Sequence, residues 1–243
     1  MIYQRAPLRP RQLLLFNGQP VGSVEPDVAQ ALARLDLLKA IGTSWHVLGD
    51  WAALAEALRD GGWLGAWRNE LLPVTTVQGE RVGRIERAAV RALGLATAAV
   101  HLSAQAPDGR TWVQQRAFNK ANDPGLWDTL MGGMVSAADT LAQALERETW
   151  EEAGLRLDQL HGLTHAGQLL ISRPSGGADA VGYTVERIDW FSATLPDGVV
   201  PENQDGEVER FDCVDSQQLR ADIGAGRYTL EAALILAPEL TAP

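Results

Sequence analysis

The sequence predicts a mixed α/β (α+β) protein, on three observations. Two β-like runs, Thr97–Ser103 and Thr111–Arg116, flank an Asp108-Gly109 pair that reads as a hairpin turn. A helical segment follows a double glycine at Gly132-Gly133 and is stopped by Gly154. Further strand-like runs, Gly167–Ile171, Thr184–Leu195 and Glu207–Val214, come after that helix. At 243 residues and 46% hydrophobic, the chain has material for a real core in one large or two small domains.

Taken in order, the first helix is expected from about Pro26 to Ala40, with Val28, Leu32, Leu35 and Leu38 at helical spacing. A second runs from about Trp51 to Leu58, before the Asp60-Gly61-Gly62 break. An internal echo crosses this region. Asn17-Gly18 through Glu25, then Ala31-Leu32, matches Gln78-Gly79 through Glu86, then Ala92-Leu93. Each copy reads as a glycine turn, a short strand and an amphipathic helix, the second helix lying near Glu86–Leu93. Either a duplicated unit or shared local rules account for it; two copies are too few for a solenoid. The texture changes near residue 95, which divides the chain into an expected N-terminal α+β module, 1–95, and a second domain, 96–243. In the second domain, Leu126–Met131 reads as a short strand running into the glycines, and Asp139 or Thr140 caps the next helix. Ser216–Ala225 and Leu230–Leu236 read as closing helices.

A net charge of −10 argues against nucleic-acid backbone as the main partner. It leaves room for a phosphorylated small molecule, because a bound divalent cation inverts the local field. The single cysteine, Cys213, excludes an internal disulfide and fits a reducing compartment. No run approaches a membrane span, and the N-terminus lacks a basic-then-apolar signal. The expectation is a soluble, cytoplasmic protein with no membrane partner. The oligomeric state is open, a homodimer included. Most of the eight tryptophans are expected in packing, and the four histidines show no ligand spacing.

The chemistry concentrates between Gly133 and Leu155. Glu148, Glu151 and Glu152 occupy one arc of roughly 100° on a helix. Three acids crowded on one face repel each other unless a doubly charged ion sits among them. The order of residues resembles the Nudix box: a glycine, an acid, then Arg-Glu-x-x-Glu-Glu-x-Gly, with Gly133, Arg147, Glu148, Glu151, Glu152, Gly154 and Leu155 in register. Asp139 stands where that family usually has glutamate, and Thr149 where it usually has an aliphatic residue. The resemblance implies a Nudix-type α/β/α sandwich with a mixed sheet. It implies Glu148, Glu151 and Glu152 as metal-facing acids, the Gly133 carbonyl as a further ligand, and Arg147 as the residue that orients a glutamate. Carboxylate oxygens that leave open positions suit Mg2+, or Mn2+.

Such a site would act on a small-molecule diphosphate, where hydrolysis demands charge neutralisation and an aligned water. A general base outside the box is expected in the Pro201–Glu209 run, with Glu207 as candidate base or extra ligand. Arg116 and Lys120 flank the loop before the box strand, where cations would hold the distal phosphate, and Gln115 would fix orientation. A narrower resemblance covers most of the chain. It rests on Glu86-Arg-Ala-Ala with Ala99-Val-His101-Leu, Trp112-Val-Gln-Gln-Arg116 through Lys120, Trp127 through Gly133, Asn203 through Val208 and Tyr228 through Ala232. These runs are similar to a Nudix subgroup labelled thiamine-pyrophosphokinase-related, whose members carry a preceding module. That similarity implies thiamine diphosphate or its oxidised analogues as substrate. A nucleotide-sugar or ADP-ribose-type pyrophosphatase shares every box residue and stays open, as does a non-catalytic ligand sensor on the same fold.

Overall fold

The computed structural model describes residues 1–175 and 182–237. Positions 238–243 of the expected second domain therefore lie outside the described residues. The strands are β1 (Ile2–Gln4), β2 (Gln12–Phe16), β3 (Gln19–Val24), β4 (Leu38–Ile41), β5 (Ser44–Val47), β6 (Leu71–Thr75), β7 (Arg81–Glu86), β8 (Ala96–Gln105), β9 (Thr111–Arg116), β10 (Trp127–Asp128), β11 (Met131–Met134), β12 (His161–Pro174), β13 (Tyr183–Thr194) and β14 (Val208–Val214). The helices are α1 (Pro26–Ala33), α2 (Trp51–Asp60), α3 (Leu141–Ala153), α4 (Ser216–Gly224) and α5 (Leu230–Leu236). The largest sheet runs β1-β12-β13-β8-β9-β10, with β11 on β8 and β14 on β9. It is mixed, because β1 joins β12 in parallel while β8 and β9 pair antiparallel. The expected α+β class holds.

The chain separates into two compact units. The first comprises Met1–Ala98, Val135–Ala138 and Leu170–Arg187. It contains a four-stranded sheet, β3-β2-β5-β4, with β2 and β5 parallel, and a separate β6–β7 hairpin. Leu14, Val24, Leu32, Leu54, Leu58, Leu72 and Ile85 are buried there. Trp51, which opens α2, lies on Gly83 and stacks at a tilt on Phe16 with centroids 5.3 Å apart. A side chain at 83 would fall on the indole, so only glycine fits that strand position.

Two helices expected in this unit are shorter than the sequence suggested. α1 stops at Ala33 rather than Ala40. Asp36 adopts a left-handed φ of 56°, and Leu38 is buried as the first residue of β4, paired with Val47. Leu35, assigned by its spacing to the apolar face, is instead exposed. The second copy of the echo keeps its glycine turn and strand, but its helix is only a 3-10 turn, Arg87–Ala89. The Glu86 carboxylate caps that turn at the Ala88 N–H and also accepts from the Arg68 N–H.

The second unit comprises Ala99–Met134, Asp139–Leu169 and Ile188–Pro243. β11 lies antiparallel on β8, with Gly132 opposite His101 and Gly133 opposite Val100. β14 pairs with β9 through an irregularity between Val208 and Arg210. The single strand expected from Leu126 to the glycines is two, β10 and β11, separated by Thr129-Leu130. Helix α3 begins at Thr140, whose hydroxyl accepts from the Gln143 N–H while the Gln143 side chain accepts from the Thr140 N–H, a capping box. It ends at Gly154 with φ 63°, the left-handed cap the sequence called for. Thr149 is fully buried in this helix, its hydroxyl donating to the Leu145 carbonyl at 2.6 Å. That bond satisfies a polar group where the Nudix pattern has an aliphatic one.

Candidate active site

The candidate site lies in the second unit, between β11, α3, the end of β9 and the loop before β14. The capping box and the Gly154 stop fix the phase of α3, so Glu148 meets Gly133, Glu152 meets Gly132, and Glu151 joins Glu148 on Arg147. The three acids are not equivalent. Glu151 is 41% exposed at its side chain, whereas Glu152 is 2% exposed as a residue.

Arg147 gathers the first group of acids. Its guanidinium donates to Asp139 Oδ2 at 2.9 and 3.0 Å, to Glu148 Oε1 at 2.9 Å, to Glu151 Oε2 at 2.8 Å and to the Met134 carbonyl at 3.2 Å. Burial works to lower its pKa, but the Glu148 charge and the hydrogen bonds to Asp139, Glu151 and Glu148 raise it overall. Thr140, not Asp139, caps the helix; Asp139 is an arginine partner. Its shorter arm still reaches the guanidinium.

The Glu148 carboxylate lies against Gly133, where a Cβ would overlap it. Glycine is required here by space, not by φ. Burial raises the Glu148 carboxyl to about 7, against the opposing pull of Arg147. Glu152 Oε2 accepts from the Gly132 N–H at 3.0 Å and from Gln114 Nε2 at 2.8 Å. Burial raises its carboxyl to about 8, although the Gly132 bond, Lys120 and Gln114 all act to lower it.

Lys120 bridges to Glu207 in a direct ion pair and lies 4.0 Å from Glu152 Oε1. Glu207 immediately precedes β14, its carbonyl accepting from the Ala117 N–H and its own N–H donating to Asp205. The structure thus brings Lys120 and Glu207 to the acid cluster. It places the two candidate residues of β9, Gln115 and Arg116, differently. Gln115 donates to the Gly125 carbonyl and accepts from Arg210 Nε. Arg116 donates to Asp128 at 3.4 Å and to the Asn122 carbonyl at 3.2 Å, so both are engaged in holding the 117–126 loop.

Gln114 was not among the residues singled out from the sequence, where it reads as one half of a Gln-Gln pair. It is 1% exposed, and its Oε1 has no hydrogen-bond partner. Among the described residues, no three His, Cys, Asp or Glu side chains are gathered in a form that would hold a metal ion. Two of the box glutamates are turned to Arg147, and the third to Gln114 and Gly132. The donor set itself is chemically suited to a hard divalent cation. It consists of carboxylate oxygens beside a glycine backbone, two of them buried enough to hold their protons to neutral pH. A cation there would favour their ionised forms.

An acid-bearing helix that follows a glycine-containing strand of a mixed sheet fits a Nudix-type fold. Residues 94–234 match the NUDIX domain, more than half the chain, and the chain belongs to the Nudix family. It is similar to Nudix hydrolase 20, chloroplastic, of Arabidopsis thaliana, with 29% identity over 178 residues, 71% of this chain and 46% of that protein. It is also similar to the uncharacterized Nudix hydrolase PA4841 of Pseudomonas aeruginosa, with 36% identity over 87 residues, 36% of this chain and 52% of that one. The chain spans about half the length of these curated relatives. The crystal structure of DR0079 from Deinococcus radiodurans superposes with a TM-score of 0.55 and 20% identity, covering 70% of this chain and 98% of that one, which supports the fold. No helix among the described residues is long and apolar enough to cross a membrane.

Proposed function

We propose that this chain is a metal-dependent hydrolase of the phosphoanhydride linkage in a small organic or nucleoside diphosphate, releasing the monophosphate. The observation that carries the reading is the pair of buried carboxyls, Glu148 and Glu152, held beside Gly132-Gly133 with their protons bound up to about 7 and 8. Their protons stay bound despite Arg147 at 2.9 Å from Glu148 and Lys120 at 4.0 Å from Glu152, and such perturbed groups cluster at functional sites. When bound, Mg2+ or Mn2+ supplies charge neutralisation and polarisation of a phosphoryl oxygen. Glu148, Glu151, Glu152 and the Gly133 carbonyl would hold it.

The chain's own residues do the rest. Arg147 fixes Glu148 and Glu151 through one nitrogen, Nη1, so their carboxylates keep a common orientation. Lys120 offers an ammonium at the cluster's edge for a phosphate oxygen, in exchange for its present carboxylate partner. Glu207, once released from Lys120, is placed to accept the proton of the attacking water. We assign 96–243 to the hydrolase domain, on the NUDIX match over 94–234, and 1–95 to a preceding module, whose compact unit also takes in Val135–Ala138 and Leu170–Arg187. We place the protein in the cytoplasm on its single cysteine, which suits a reducing compartment.

Within this class we favour thiamine diphosphate or its oxidised analogues, on the similarity of the Trp112–Lys120, Trp127–Gly133 and Asn203–Val208 runs to the thiamine-related subgroup. The test is product chromatography after incubation with Mg2+ and a panel of thiamine-type diphosphates, ADP-ribose, nucleotide sugars and nucleoside triphosphates. Thiamine-type diphosphates should give the highest kcat/KM. Faster turnover of ADP-ribose or a nucleotide sugar would replace this substrate with the pyrophosphatase reading.

A further inference from the structure

We propose that His101 and Thr129 are positioning residues that hold the Met131–Gly132 peptide, and through it the Glu152 carboxylate, in place; this rests on the metal-site reading above. The inference follows from a line of buried hydrogen bonds whose direction can be assigned. Thr129 Oγ1 lies 2.8 Å from the Met131 carbonyl oxygen, which can only accept. The single hydroxyl proton is therefore spent on that carbonyl. His101 Nδ1 lies 2.9 Å from the same Oγ1, so the hydroxyl must accept there and the histidine must carry a proton on Nδ1.

The carbonyl of Met131 and the N–H of Gly132 belong to one peptide unit. Its carbonyl end accepts from Thr129, and its N–H end donates to Glu152 Oε2 at 3.0 Å. Hydrogen bonds in series polarise one another, so a bond accepted at the carbonyl strengthens the donor at the other end. The arrangement also fixes the peptide plane where local sterics do not, since Gly132 and Gly133 lack the Cβ that restricts backbone rotation. His101 adds packing. It faces Gly132 across the β8–β11 pair, and a Cβ at 132 would come within 2.8 Å of its Nδ1.

The turn beneath is equally tied. The Thr129 N–H donates to Asp128 Oδ1 at 2.8 Å, and that oxygen lies 3.7 Å from His101 Nδ1. His101, Asp128, Thr129 and Glu152 are all buried, so water does not substitute for a lost partner. His101 and Thr129 are themselves buried, and each acts through the glycine backbone.

The test pairs each disruptive change with a conservative one. Thr129→Val and His101→Phe keep volume and remove the relay, while Thr129→Ser and His101→Asn keep the hydroxyl and the Nδ1-type donor. Hydrogen exchange of the Gly132 amide is followed by NMR in the metal-free protein, with the Ala144 amide, which donates to the Thr140 carbonyl in α3, as internal reference. Mn2+ affinity is measured by calorimetry on the same samples. Thr129→Val and His101→Phe should speed Gly132 exchange about tenfold or more relative to Ala144. They should also weaken Mn2+ binding by about 10- to 100-fold, as loss of groups that orient metal ligands does. The serine and asparagine variants should stay within about threefold of wild type in both readouts. Unchanged Gly132 exchange in Thr129→Val, or in His101→Phe should the former not fold, overturns the relay. Faster exchange with undiminished Mn2+ affinity overturns its role in positioning Glu152. If Mn2+ affinity is also indifferent to Glu152→Gln, the metal-site reading fails instead, and Gly132 exchange alone decides the relay.

Discussion

Replacing Glu152 by glutamine should stabilise the metal-free protein at alkaline pH and abolish its stabilisation by metal. The carboxyl is raised from 4.5 to about 8, first by burial. The folded protein therefore holds this proton more tightly than the unfolded chain does. Its contribution to stability is complete below about pH 4.5, falls as pH rises through 8, and is level beyond. At about 1.4 kcal/mol per pH unit, keeping the carboxylate charged above pH 8 costs the folded state on the order of 4 kcal/mol. Glutamine removes that charge with little change of shape. Its amide oxygen can accept from the Gly132 N–H and from Gln114 Nε2, as the Glu152 Oε2 atom does. Thermal unfolding in chelator should show wild type and variant nearly equal at pH 5. By pH 9 the variant should unfold on the order of 10 °C higher. Saturating Mn2+ should reverse the order, raising the wild type and leaving the variant where it was. A metal-free difference that does not grow between pH 5 and pH 9 would refute the burial argument.

Three further outcomes follow from the same geometry. Gly133→Ala drives a Cβ into the Glu148 carboxylate and should weaken Mn2+ binding at least about tenfold by calorimetry; wild-type affinity would show that Glu148 has room to move. Arg147→Gln leaves Asp139, Glu148 and Glu151 without their shared cation, and should cost about 1 to 3 kcal/mol in urea unfolding, partly restored by Mn2+. A variant as stable as wild type would mean that the arginine network carries no weight. Thr140→Ala removes the capping box of α3 and should lower stability by about 1 kcal/mol, with Thr140→Ser retaining it.

What was legible in the sequence were features set by local rules. The Asp108-Gly109 hairpin, the Gly154 stop and the acids of α3 depend on residues within a few positions of one another, and each is found as read. Leu35 and Leu38 fit a helical period, but Leu38 is buried by pairing with Val47, a contact that periodicity cannot express. The helix expected after Glu86 is instead a run of tighter turns, with the Val90 N–H on the Arg87 carbonyl and the Gly94 N–H on the Arg91 carbonyl.

The site divides along the same line. Arg147 and its glutamates share one helix and were visible together. Lys120 and Glu207 were separate suggestions, 87 residues apart, and only the sheet shows them paired. Gln114 and His101 were not picked out as site residues, since one is half of a glutamine pair and the other a lone histidine in an apolar strand. Their significance lies in what they touch, Glu152 and the turn before Gly132.

The central claim is that the carboxylates of α3 bind a divalent ion that enables phosphoanhydride cleavage. It is tested most directly by hydrolysis of thiamine diphosphate and ADP-ribose by wild type and Glu148→Gln, each with chelator and with a Mn2+ series. The wild type should turn over at least one of them only with metal, and the variant should lose on the order of 100-fold or more in kcat/KM, about 2.7 kcal/mol of barrier. Equal metal-dependent turnover by the two proteins, or turnover by the wild type in chelator, would contradict the claim.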